Sequence, residues 1–135
     1  MRVSGKFEVN LQPLEAYAQG VDGVNLGRMS IEKTFSGELS ATSKGEMLTA
    51  MTAVEGSAGY VAIEQVTGNL SGKSGSFLLQ HFGTMSQDRN FLLLEVVLDS
   101  GSGELAGISG KMSIRMEEGQ HYYDFEYEFA EFSQG

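Results

Sequence analysis

The chain has 135 residues, no cysteine, and a formal net charge of −9 from 18 acidic and 9 basic residues. This length suits one domain spanning residues 1–135, and the lack of cysteine excludes disulfides, thiolate metal ligands and a cysteine nucleophile. The acidic balance argues against nucleic-acid binding, because phosphate contacts need clustered Lys and Arg.

Runs of alternating or apolar residues predict eight β-strands. In chain order they lie near residues 3–10, 25–35, 38–51, 58–67, 69–83, 90–98, 103–117 and 120–132. Residues 11–19, LQPLEAYAQ, favour a helical turn or two, with Pro13 suited to the first turn. We interpret this segment as a short strap across one end of the fold, and we expect very little helix elsewhere.

A glycine repeat indicates how these strands are arranged. The pattern of Ser or Thr, Gly, a polar residue and a large apolar residue occurs four times, with its glycines at positions 5, 37, 68 and 103. Each glycine is predicted to open an odd-numbered strand, so one repeat unit contains two strands. We expect Gly68, Gly72 and Gly75 to let the fifth strand bend. Eight hairpin-linked antiparallel strands that bend in this way predict a closed all-β barrel.

The alternation of side chains along each strand assigns the interior of this barrel. The last strand has one aromatic face that must point inward, formed by Tyr123, Phe125, Tyr127 and Phe129. The same parity places Lys33, Glu64 and His81 on the inward faces of the second, fourth and fifth strands. Because a buried charge is costly unless it is paired, we expect Glu64 to pair with Lys33 or with a tyrosine.

The register between the fourth and fifth strands decides whether Glu64 also meets His81. A turn centred near Asn69 would place Ser74 opposite Glu64 and leave His81 far along the barrel. We therefore expect His81 to lie at the other end or rim of the lumen, with Gln80 beside it. A direct Glu64–His81 bond would require glycine bulges that shift the register.

Strands four to six are apolar on both faces, most clearly in the run FLLLEVVL. Such strands are usually covered on both faces, and an open apolar patch of this size is unfavourable on a monomer. We therefore predict a homo-oligomer, a dimer or a trimer, that buries Val61, Ile63, Leu78 or the outward face of residues 91–98.

Two stretches, YVAIEQVTGNLSGKSGSFLLQH and LDSGSGELAGISG, resemble a family of small bacterial proteins catalogued as a domain of unknown function. The resemblance extends from GKFEV to HYYDFEY, and the family pattern includes Glu64, Gln80, His81 and His121. It implies an eight-stranded allene oxide cyclase-like barrel, similar to that of dirigent proteins and broadly calycin-like. It implies no reaction, because fold alone does not give function.

Three functions fit this prediction. The first is binding of a small apolar molecule in the lumen, with candidate ligand contacts at Lys33, Tyr60, Glu64, Gln80, His81, Tyr123 and Tyr127. The second is a cyclase or isomerase that uses Glu64 or His81 as its acid–base group. The third is a filled barrel that acts only as an oligomeric interaction module. Whether the protein is an enzyme stays open at this point, and no motif predicts a cofactor or a metal site.

The first ten residues, MRVSGKFEVN, lack the apolar centre of a secretory signal. No window approaches the roughly 20 apolar residues that span a bilayer. We therefore expect a soluble, cytoplasmic protein that has no membrane partner.

Overall fold

The computed structural model describes residues 1–130, and over that range the chain forms nine β-strands and no helix. The strands are β1 (Arg2–Leu14), β2 (Asn25–Gly37), β3 (Leu39–Met51), β4 (Ala58–Leu70), β5 (Lys73–Met85), β6 (Asn90–Val96), β7 (Ser102–Gly103), β8 (Ile108–Glu117) and β9 (Gln120–Phe129). Eight of them form a closed antiparallel barrel, because neighbours in the order β1-β2-β3-β4-β5-β6-β8-β9 are paired and β9 pairs back with β1. The short β7 lies outside this ring and pairs with β5.

The predicted eight-stranded barrel is confirmed, and each predicted strand corresponds to one barrel strand, although the strand predicted over residues 69–83 begins within β4. The end of the last predicted strand, residues 131 and 132, lies outside the described residues. The helical turn predicted over residues 11–19 was wrong, because β1 continues to Leu14. Tyr17, in the remainder of the predicted strap, is exposed.

The repeated glycines mark strand ends and close approaches, and the expectation that they open strands was wrong. Gly37 is the last residue of β2, with φ of 103°, and Gly68 lies near the end of β4. Ser71 and Gly72 form the two-residue turn between β4 and β5, with φ of 48° and 89°. Positive φ at both positions matches the right-handed twist of the flanking strands. This turn sets the register that positions the polar residues of the lumen.

One end of the barrel, near the β2–β3 and β4–β5 turns, is filled by a densely packed apolar core, and we call this part the closed half. The Phe77 and Phe125 rings stack with centroids 5.6 Å apart and have no exposed surface. Tyr123 is equally buried, and its hydroxyl donates to the Ser36 carbonyl at 2.8 Å and accepts from the Leu39 N–H at 3.1 Å. The aromatic face predicted for the last strand is thus confirmed as interior.

The other end, near the β3–β4 and β5–β6 turns, is less completely filled, and we call it the open half. Its inward-facing side chains are partly exposed, reaching 41% for Leu11, 45% for Leu92 and 64% for Met116. By strand register and parity, the open half is lined by Val9, Leu11, Met29, Met47, Tyr60, Leu92, Ile114, Met116 and His121.

The barrel wall has a weak seam beside the open half. β6 and β8 pair at Leu94 with Met112 and at Glu95 with Lys111, and their pairing does not extend towards the open end. On one side of the seam, residues 90–93 pair with β5. On the other side, residues 113–117 pair with β9. This seam accounts for the exposure of Leu92 and Met116, which face inward on either side of it.

Candidate functional site

A cluster of buried polar side chains surrounds Glu64, between the buried Val66 of the closed half and the half-buried Tyr60 of the open half. The Oε2 atom of Glu64 accepts hydrogen bonds from Lys33 Nζ at 2.9 Å and from His81 Nε2 at 2.5 Å. Its Oε1 atom accepts from Ser43 Oγ at 2.8 Å. Glu64 has no exposed surface, and its three partners are also buried. We call these four residues the Glu64 cluster.

Gly45 makes room for this cluster. It is the cross-strand partner of Glu64, and a Cβ atom at this position would lie 2.6 Å from the Glu64 Cα and 2.8 Å from its Cβ. Lys33 and Ser43 are cross-strand partners of each other, two residues along β2 and β3 from this point. The missing side chain therefore lets β3 approach the backbone of β4 closely at Glu64.

Electrostatics keep Glu64 ionised despite its burial. Burial acts to raise the pKa of Glu64, but the hydrogen bond from His81 and the charge of Lys33 outweigh it and lower the pKa to about 2. Lys33 supplies the compensating positive charge, and its Nζ also lies 5.1 Å from the centroid of the Phe7 ring. The cluster is thus a paired and hydrogen-bonded ionic centre inside an apolar barrel.

Tyr60 connects the Glu64 cluster to the open half. Its hydroxyl oxygen lies 3.3 Å from Nδ1 of His81, and the two rings meet edge to face with centroids 6.0 Å apart. Its cross-strand partner is Gly83, where a Cβ atom would overlap the Tyr60 ring. Burial, followed by the negative charge of Glu64, raises the pKa of Tyr60, so its hydroxyl keeps its proton at neutral pH.

The structure brings together four of the predicted ligand contacts, Lys33, Tyr60, Glu64 and His81, and the expected Glu64–Lys33 pair is present. The expectation that His81 lies at the rim, away from Glu64, was wrong. The turn lies at residues 71–72, so Glu64 faces Leu79 and His81 is its diagonal neighbour on β5. No bulge is needed for this contact, because diagonal neighbours on one face of a sheet are within reach of long side chains.

The other three predicted contacts lie elsewhere. Gln80 is exposed on the outer surface of β5, opposite Ile63. Tyr123 and Tyr127 belong to the closed half, where Tyr123 bonds to the backbone of β2 and β3 and the hydroxyl of Tyr127 lies 3.4 Å from Ser71 Oγ. Gln80 faces away from the lumen and the two tyrosines are part of the packed core, so none of them lines the open half.

Two residues of the site were missed by the sequence reasoning, Ser43 and Gly45. The segment LSATSKGEML alternates small and polar residues on both faces, so the contrast that marks an interior face is weak there. The available signal was that Ser43 and Gly45 share the parity of Leu39 and Ala41, which are both buried.

The rim of the open half contains a cavity of about 750 Å³ between the β3–β4 and β5–β6 turns. Its lining includes Ala58, Met85 and Asn90, which share the inward parity of β4, β5 and β6, together with Arg89 and Phe91. A volume of this size is in the range of small-molecule sites. This cavity lies at the outer edge of the open half, and its lining includes none of the nine inward-facing residues named above.

These features define a small antiparallel barrel with a buried ionic centre beneath an open apolar half. The family model described as "Protein of unknown function (DUF3224)" matches residues 3–127, and the chain belongs to this family. The chain is similar to a DUF3224-family protein of unknown function from Shewanella oneidensis MR-1, whose crystal structure is known. The two sequences are 62% identical, the match covers 97% of this chain and 98% of that chain, and the TM-score is 0.94. No curated protein matches the chain. The predicted membership of a bacterial family of unknown function is confirmed.

Within residues 1–130, no helix is long and apolar enough to cross a membrane.

Proposed function

We propose that this protein binds a small, mainly apolar molecule in the open half of its barrel. The observation that carries the proposal is the partial exposure of inward-facing apolar side chains there, including Leu11 and Leu92, while the closed half is fully packed. Apolar side chains that line a concave space and remain in contact with water are the usual features of a ligand site. A ligand in this position would remove them from water.

The chemistry of the lining supports an adaptable apolar site. Met29, Met47 and Met116 share the inward parity of this half, and methionine side chains are flexible and polarisable enough to fit ligands of different shape. The seam between β6 and β8 gives a ligand a lateral route past Leu92 and Met116. Glu64 has no exposed surface, so in this proposal it acts through His81 and Tyr60 and does not touch the ligand.

A cyclase or isomerase is the second candidate, and the hydrogen-bonded chain from Tyr60 through His81 to Glu64 favours it. Such a chain is suited to moving a proton to or from a bound molecule. The allene oxide cyclase-like character of the barrel and a cytoplasmic location stay predictions that accompany both candidates.

The binding proposal is tested with N-phenyl-1-naphthylamine, an uncharged probe that fluoresces in apolar sites. The matched variants are Met47→Trp, which fills the open half, and Thr42→Trp, which adds the same side chain at an exposed outward position of β3. We expect the unmodified protein and Thr42→Trp to bind the probe equally, and Met47→Trp to bind it at least tenfold more weakly. Equal binding by both variants, or no binding by the unmodified protein, would contradict the proposal.

We also propose that a second copy of the chain covers the outer face of β3 to β6. Four outward side chains form an unbroken cross-strand row there, because Leu48 faces Val61, Val61 faces Phe82, and Phe82 faces Leu93. Val61 is 49% exposed and Phe82 is 50% exposed. The row contains no charge, whereas the chain as a whole carries −9, so this face is where two identical acidic molecules can meet with least repulsion.

A two-fold arrangement would place this apolar row against its own copy, which makes the patch self-complementary. The expected result is a dimer by sedimentation velocity at micromolar concentration, and a monomer for Val61→Lys. Lys44→Ala, which lies on the same outward face of β3 four residues before Leu48, serves as the control and should leave the dimer intact. A monomeric unmodified protein at that concentration would overturn the dimer proposal while leaving the ligand site untouched.

A further inference from the structure

The hydrogen bonds of His81 determine which of its ring nitrogens carries the proton. Glu64 is ionised and can only accept, so Nε2 of His81 must be the donor in their hydrogen bond. In the neutral imidazole the proton on Nε2 is the only ring N–H, so Nδ1 is free to accept a hydrogen bond. Lys33 supplies the positive charge that pairs with Glu64, so the cluster needs no second cation.

The neutral His81 in turn fixes the role of the Tyr60 hydroxyl. Nδ1 of His81 lies 3.3 Å from this hydroxyl and accepts its single proton. The Tyr60 oxygen then has only lone pairs to offer to a molecule in the open half. Because the hydrogen bonds from Tyr60 to His81 and from His81 to Glu64 run in the same direction, each strengthens the other and makes the Tyr60 oxygen a better acceptor.

We propose that Tyr60 is the polar contact of the ligand and acts as a hydrogen-bond acceptor, so that the ligand carries an uncharged donor, an alcohol O–H or an amide N–H, on an apolar body. This inference rests on the proposed ligand site and specifies the class of molecule that the site takes. A carboxylate is excluded as the group that faces Tyr60, because it offers only acceptors and adds a negative charge near Glu64. An ether or an alkane leaves the Tyr60 oxygen without a donor.

The test uses two isomers of the same formula, 1-octanol and 1-methoxyheptane, which differ in whether the oxygen can donate. Each is used to displace N-phenyl-1-naphthylamine from the unmodified protein and from Tyr60→Phe. We expect the alcohol-to-ether affinity ratio to be about fivefold higher in the unmodified protein than in Tyr60→Phe, which corresponds to one hydrogen bond. An unchanged ratio, with both compounds still displacing the probe, would overturn the acceptor role and leave the ligand site standing.

His81→Leu provides a second test of the role of Tyr60. If Tyr60 made only apolar contacts with the ligand, this substitution would leave the alcohol-to-ether affinity ratio unchanged. Without the His81 acceptor, the Tyr60 hydroxyl is free to donate its proton to a ligand, so the ether should gain affinity relative to the alcohol. If His81→Leu fails to fold, the comparison between the unmodified protein and Tyr60→Phe still decides the matter. If the probe does not bind the unmodified protein at all, the proposed ligand site is itself overturned, and this inference with it.

Discussion

The closed and open halves of the barrel are built from the same eight strands with the same alternation, yet they differ in what points inward. The closed half is filled by rigid rings and branched side chains, such as Phe77, Phe125 and Leu70, which have almost no exposed surface. The open half has flexible methionines and the side-chain-free position of Gly83. The comparison teaches that one regular barrel can place its stability at one end and leave space for a ligand at the other.

The Glu64 cluster lies where the two halves meet. An ionic centre in this position prevents the apolar core from extending further along the lumen, because each member must keep its hydrogen bonds. Replacing the cluster with apolar side chains of equal volume would cost the barrel little or no stability. The fold therefore does not itself require the cluster, and under the proposed function the cluster serves the open half.

The largest expected effect comes from removing one ring of the closed half. Phe77→Ala should lower the free energy of unfolding by about 4 kcal/mol, because it opens a cavity in a rigid core. Met47→Ala, in the open half, should lower it by less than about 1 kcal/mol, since its side chain is already partly in water. Urea unfolding of both variants measures the contrast, and equal losses would remove the distinction between the two halves.

The next largest loss of stability is expected from breaking the ion pair between Glu64 and Lys33. Glu64→Gln should lower the free energy of unfolding by about 3 kcal/mol, because it leaves the Lys33 ammonium buried without a counter-charge. The double variant Lys33→Met with Glu64→Gln should recover part of this loss, as a double-mutant cycle would report. The control is Glu46→Gln, which breaks the exposed pair between Glu46 and Arg28 and should change little. A similar loss in both carboxylate variants would contradict a special role for the buried pair.

Acid should weaken the protein through the same carboxylate. The pKa of Glu64 is lowered to about 2 by the fold, so in acid the unfolded chain binds this proton more readily than the folded one. The resulting stability is fully present above about pH 5 and is lost as the pH falls towards about 2, amounting to up to about 3 kcal/mol. Glu64→Gln should lack this part of the acid dependence in urea titrations between pH 6 and pH 3. Identical slopes for the two proteins would show that Glu64 is not paired as described.

A smaller loss of stability is expected from adding a side chain at Gly45, where the site has no room for one. Gly45→Ala should destabilise the protein by about 2 kcal/mol, because the added methyl group overlaps the backbone of Glu64. Gly59→Ala is the control, since a Cβ atom there meets only the Gly83 carbonyl oxygen at 3.6 Å. Thermal unfolding compares the two variants, and a neutral Gly45→Ala would mean that β3 can move away from Glu64 without cost.

Side-chain alternation was sufficient to predict which residues of the site face the interior of the barrel. The parity of β2, β4 and β5 identified Lys33, Glu64 and His81 as inward-facing, because a strand has only two faces and one must be apolar. The pairing of Glu64 with His81 could not be predicted, since the register depends on a turn in which Ser71, a non-glycine residue, adopts positive φ. A shift of the turn by two to three residues moves the opposite residue by about five, which is why His81 was wrongly placed at the rim.

The central claim, that the open half binds a small apolar molecule, is tested most directly by the methionine methyl groups. Labelling them with carbon-13 gives NMR reporters in both halves, with Met29, Met47 and Met116 facing the open half and Met112 buried in the core. On addition of 1-octanol we predict concentration-dependent shifts of Met29, Met47 and Met116, and an unchanged Met112. Saturating octanol that leaves the three open-half signals unmoved, or that shifts Met112 as much as them, would contradict the account.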